Sequence, residues 1–113
     1  MNYQDILNFW FAPETQPHWF AKSSEFDQML AEKFGQIHQQ AALAELWEWR
    51  QQPEGRLAEV IILDQFSRNL FRDQAQAFAQ DGLALGLAQE AILGQHDLKL
   101  SPEHRYFLYM PFM

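Results

Sequence analysis

Cysteine is absent from the 113-residue chain. That removes disulfides, thiolate nucleophiles and Cys-ligated zinc together, and it favours the cytoplasm as the compartment. Positive charge is also short: 8 Lys and Arg face 15 Asp and Glu, for a net charge of −7. Such a field repels a phosphate backbone, and no run of Lys and Arg supplies a local basic patch. Neither nucleic acid nor an anionic membrane surface is therefore an expected partner. Long apolar runs are missing as well. Val60-Ile61-Ile62-Leu63 falls far short of the roughly 20 residues that span a bilayer. The opening Met1-Asn2-Tyr3-Gln4-Asp5 lacks the basic n-region of a signal peptide.

Further absences thin out the catalytic classes. Gly82 and Gly86 do not have the spacing of a phosphate-cradling loop. No Gly-x-Ser-x-Gly elbow occurs, and Ser67 has no histidine at local spacing to activate it. His38, His96 and His104 fit no zinc-ligand spacing, so neither a metal nor a cofactor is expected. β-Branched residues are scarce too: Val60, Thr15 and Ile6, Ile37, Ile61, Ile62 and Ile92. Strands want such residues, whereas the Ala, Leu, Gln and Glu that dominate here lose little entropy in a helix.

What is present is core material. The chain is 48% hydrophobic and 15% aromatic, too apolar for disorder and enough for one helical domain over residues 1–113. A first helix is expected from Asn2 to Phe11, with Asn2 as N-cap and Asp5 at the third helical position. Pro13 and Pro17 end it, and His18-Trp19-Phe20 is too apolar to hang free, so it folds back as a lid. Ser24 and Asp27 have capping-box spacing at the start of a second helix. Phe26, Leu30, Phe34, Ile37 and Ala41 then recur at three- and four-residue steps, which marks one buried stripe. If that helix runs on unbroken, His38 and Glu45 share a face. A short helix from Glu45 to Gln51 is closed by Pro53 and Gly55. Leu57 to Phe66 is apolar nearly all round and reads as the central helix. Another helix opens after Asp81 as N-cap and stops at Gly94. Ser101-Pro102 starts the last one, with Pro at the favoured first position, and Pro111 ends it.

The chemistry concentrates in Leu63-Asp64-Gln65-Phe66-Ser67-Arg68-Asn69-Leu70-Phe71-Arg72. Asp64 and Arg68 are four apart and meet if the helix continues, and Arg72 lies one further turn along that face. Asp64 sits near the C-terminal end of an apolar helix, where the dipole opposes a negative charge. A buried carboxylate there needs a cation, and Arg68, Arg72 or Arg105 can supply it. Two guanidiniums on one carboxylate leave spare donors for a carboxylate or phosphate group. The same cluster also serves to tie a helix end to the next loop, with no ligand involved.

Several segments carry a resemblance. Ile6-Leu7-Asn8-Phe9-Trp10-Phe11, Trp19-Phe20, Phe26-Asp27, the Leu63–Arg72 stretch, Ala77-Phe78-Ala79-Gln80-Asp81 and the run from Glu103 to Met113 stand in this order in the chain. Together they resemble the bacterial family catalogued as domain of unknown function 924. The likeness spans essentially the whole chain, and its Asp-Gln-Phe-x-Arg-Asn core is specific. It implies an all-helical fold similar to tetratricopeptide repeats and no established activity. Ser67 stands where the family usually has Pro, and Asp73-Gln74 replaces a Gly-Thr-like pair. The resemblance further implies a family pattern that continues past Met113 with a His-Ser-Glu segment and a second Arg-Asn motif. On that reading the bundle is the N-terminal part of a longer pattern and incomplete at its C-terminus.

The expected fold is thus all-α, built of antiparallel helix pairs in a tetratricopeptide-like bundle. The expected function is a binding or scaffold domain. In it Asp64, Arg68, Asn69 and Arg72, with Arg105 as a neighbour, order a polar cleft for an anionic small molecule or a protein segment. One rival is an enzyme acting on a small anionic metabolite, with Asp64 or His104 as general acid or base. The other is a structural homo-oligomer with no ligand.

Overall fold

A computed structural model describes residues 1–113 as helices and short connections, with no strand. Helix α1 spans Tyr3–Trp10. Its start is a reciprocal cap: the Asp5 N–H donates to Asn2 Oδ1 at 3.0 Å and the Asn2 N–H donates to Asp5 Oδ2 at 2.8 Å. Ile6, Leu7 and Trp10 turn its inner face to the core. A single 3₁₀ turn, Gln16–His18, follows. The segment after it does fold back: the Trp19 indole N–H donates to the Trp10 carbonyl at 2.9 Å. Phe20, however, ends 67% exposed.

Helix α2 spans Ser24–Ala42 and buries the expected stripe, with His38 added to it. Its cap lies one residue earlier than expected. Ser23 Oγ accepts the Phe26 N–H at 3.2 Å, while Ser24 is already helical. Asp27 is not a capping partner, because Arg72 and Asn69 occupy its oxygens. Because α2 ends at Ala42, Glu45 shares no helical face with His38.

The expected short helix is a 3₁₀ segment, Trp47–Gln51. Pro53 does not close it but opens helix α3, Pro53–Ile61, at the first-turn position where a missing N–H costs nothing. Gly55 is needed at this junction, since a Cβ there would meet the Trp49 carbonyl oxygen at 2.0 Å. The chain then runs without a break through a π-helical stretch, Ile62–Phe66, into helix α4, Ser67–Leu70. Every residue from Leu57 to Ser67 is buried. Asp64 consequently lies within a continuous rod rather than at a helix end, and the dipole argument for its strain does not apply. Desolvation remains.

Helix α5, Asp81–Leu93, has Asp81 as its first helical residue, with Gln80 at the cap position. Gly94 follows it with φ −84°, so the left-handed position that breaks the chain away is Gln95, φ 60°. Helix α6, Pro102–Tyr109, is capped by Ser101, whose Oγ accepts the His104 N–H at 3.3 Å. A 3₁₀ turn, Met110–Phe112, ends the chain. Around the central rod, α1, α5 and α6 pack on α3, while α2 packs on the π stretch and α4. One continuous core results, in which Trp10, Phe34, Phe66 and Phe107 interlock edge-on and tilted. No helix is long and apolar enough to cross a membrane.

Candidate functional site

The π-helical stretch matters because it widens one turn of a buried rod, and such turns recur where function interrupts a regular helix. Here it presents Asp64 and Gln65 to one side, directly before α4 presents Arg68 and Asn69. Arg72 follows beyond the end of α4, and Asp73 turns the chain with φ 64°. Asp64, Gln65, Arg68, Asn69 and Arg72, with Trp19, Phe20, Ala21, Met110 and Met113, line a cleft of about 340 Å³, large enough for a small ligand or the side chain of a partner.

The structure brings together four of the five sequence-expected residues: Asp64, Arg68, Asn69 and Arg72. Arg105 does not line the cleft. It stands on α6 beside Tyr109, whose hydroxyl donates to Asp97 at 2.6 Å, and its own Nε is buried without a partner. His104 is also elsewhere, stacked on Phe11 at 4.3 Å.

Asp64 is not the main counter-ion of the arginines. Arg72 grips Asp27 of α2 with a fork, Nε to Oδ2 at 2.6 Å and Nη2 to Oδ1 at 3.1 Å, and Asn69 Nδ2 donates to Oδ1 at 2.8 Å. Arg68 Nη1 donates to Asp81 Oδ1 at 2.8 Å and to the Ala77 carbonyl, while its guanidinium lies 4.6 Å over the Phe78 ring. Only a long 3.5 Å contact joins Arg68 Nη2 to Asp64 Oδ1. Asp64 is 5% exposed, and its one short bond comes from Gln65 Nε2 at 2.9 Å. Sequence reasoning missed Asp27 and Asp81. Both were visible as first-turn acids, but their partners lie too far along the chain for local spacing to pair them.

The two kinds of carboxyl consequently titrate in opposite directions. Burial pushes Asp64 above the usual aspartate range, and the bond from Gln65 and the charge of Arg68 offset it only in part. Burial would also raise Asp27, but hydrogen bonds from Arg72 and Asn69 outweigh it and hold Asp27 below that range. The cleft thus has two guanidiniums fixed by Asp27 and Asp81, with Arg68 Nε and Arg72 Nη1 bonded to no protein acceptor, and one weakly compensated carboxyl in the same lining.

A second buried pair joins α2 to α4. His38 Nε2 is 2.8 Å from Ser67 Oγ, and Ser67 donates to the Leu63 carbonyl at 2.6 Å. The serine's single proton is committed to that carbonyl, so the histidine must be the donor. Ser67 is therefore an acceptor locked in the core, not a nucleophile, although it does have the histidine partner that local spacing failed to reveal. Burial also holds the His38 ring below the ordinary histidine range.

Residues 6–113 match the family described as "Bacterial protein of unknown function (DUF924)". A solved structure of a protein of unknown function from Agrobacterium tumefaciens is similar, with 40% sequence identity and a TM-score of 0.88. The match covers 97% of this chain and 62% of that one, so the chain spans less than two thirds of that relative's length. No curated protein matches.

Proposed function

We propose, starting from a chain that belongs to the bacterial family of unknown function DUF924, that it is a helical binding domain. Its cleft takes a ligand that joins a carboxylate or similar acceptor to an apolar part. The observation that carries this reading is Asp64, a carboxyl almost wholly buried at the wall of a cleft with a single short partner. A purely structural ion cluster has no use for such a group, because an undercompensated buried carboxyl costs stability. Asp27 and Asp81 hold the two guanidiniums in place. The remaining donors, Arg72 Nη1 and Arg68 Nε, then meet the ligand's acceptor, Asp64 binds an adjacent N–H or O–H, and Trp19, Phe20 and Met110 cover the apolar part. The proposed compartment is the cytoplasm, and the lack of cysteine supports it.

Thermal-shift screening of small carboxylates tests the reading, with Asp64→Asn as the control variant. A compound at 100 times its Kd adds about 2.7 kcal/mol of stability. We expect at least one compound to stabilise the parent and to lose most of its effect on the variant. A screen in which nothing shifts the parent, or in which parent and variant shift alike, ends the proposal.

A second reading has its own observation. Phe20, Phe112 and Met113 are exposed large apolar groups, and Phe20 and Met113 form part of the rim of this cleft. The ligand is then a protein surface, with an apolar side chain seated between them.

A further inference from the structure

We propose a second ligand site, for a hydroxyaryl carboxylic acid, in the groove between α1 and the first half of α2. It shares no lining residue with the Asp64 cleft and encloses about 660 Å³. Its floor is a row of three aromatic rings. Phe34 lies 4.6 Å from Phe9, and Phe9 lies 6.0 Å from Phe26, nearly parallel to it. At one end Lys33 Nζ stands 5.5 Å over both Phe9 and Phe34, with no carboxylate of the chain bonded to it. At the other end His18 stacks on Phe26 at 4.4 Å, and Thr15 lines the wall. Thr15 is only 4% exposed, yet its hydroxyl has no protein partner. That hydroxyl keeps access to the groove and is open to a hydrogen bond from whatever occupies it.

The charges choose the orientation. Asp5 also borders the groove, but its carboxylate accepts the Asn2 N–H at 2.8 Å in the α1 cap. Glu14 stands beside Thr15 with no ion-pair partner. A carboxylate therefore belongs at the Lys33 end, and a hydrogen-bond donor at the Thr15 end, where Glu14 opposes a second anion. A flat ring between these two groups covers the phenylalanine row. A hydroxyaryl acid combines all three parts.

The test is a nitrogen-15 NMR titration of the full chain with 3-(4-hydroxyphenyl)propanoate. 3-Phenylpropanoate removes the hydroxyl, and tyramine replaces the carboxylate with a cation. The hydroxy acid is expected to shift the amides of Phe9, Thr15, His18 and Lys33. Lys33→Gln, at an exposed position, is expected to weaken binding about tenfold, and Thr15→Val or loss of the phenol about fivefold. Tyramine is expected not to bind. Shifts confined to the Asp64 cleft, no shifts at millimolar ligand, equal affinity for tyramine, or variants that titrate like the parent would each overturn the site.

Discussion

Two aspartates in neighbouring turns of space have opposite effects on stability as pH changes. Asp27 accepts from Arg72 and Asn69 and titrates below the usual aspartate range. Its contribution is complete above about pH 4 and is lost as the pH falls further. Asp64, raised by burial, behaves in the reverse sense. Its contribution is complete when it is protonated, below that pH, and is lost as the pH rises through its elevated value. Asp27→Ala leaves Arg72 and Asn69 without their acceptor and should cost about 3 kcal/mol near neutrality. Asp64→Asn should do the opposite and stabilise the fold at pH 7, with the gain closing as the pH approaches 4. Melting curves of the three proteins from pH 4 to 8 decide the matter. A destabilised Asp64→Asn at pH 7 would make Asp64 a structural anchor and remove the reason to assign it a ligand.

The elements themselves show how far local rules reach. The α1 cap, the buried stripe of α2 and the Ser101-Pro102 start of α6 were legible because each depends on residues within four positions. The Asp64–Arg68 contact was legible for the same reason, although it is long. Asp27, Asp81 and the His38–Ser67 pair were not, because each joins groups brought together only by packing. Pro53 was misplaced since Pro ends one element and begins the next with equal ease, and only Gly55 tells the two apart. With no side chain, Gly55 lets α3 start against the Trp49 backbone. Gly55→Ala should therefore cost about 3 kcal/mol, as an overpacked contact with rigid backbone does. Gly35 sits inside α2 with open space where a Cβ would lie, and Gly35→Ala should gain about 0.5–1 kcal/mol. Urea unfolding with unchanged m-values distinguishes these effects from changes in the unfolded chain. Equal and small effects at both glycines would mean that the junction is looser than its geometry indicates.

At the scale of the molecule, charge and apolar surface act against each other. A net charge of −7 on a chain this small keeps copies apart at low ionic strength. Salt shortens that repulsion to about 10 Å at 0.1 M and about 3 Å at 1 M, while leaving apolar attraction in place. Phe20, Phe112 and Met113, the last 81% exposed, are then free to meet a matching surface. Sedimentation velocity should show a monomer in dilute buffer and reversible association as sodium chloride rises toward 1 M. Phe20→Ser should suppress that association without unfolding the chain, because Phe20 lies outside the buried core. Association that weakens with salt would instead point to ion pairs between copies. A monomer under all conditions would leave the apolar rim to a different partner, and the cleft beneath it to the small ligand proposed for Asp64.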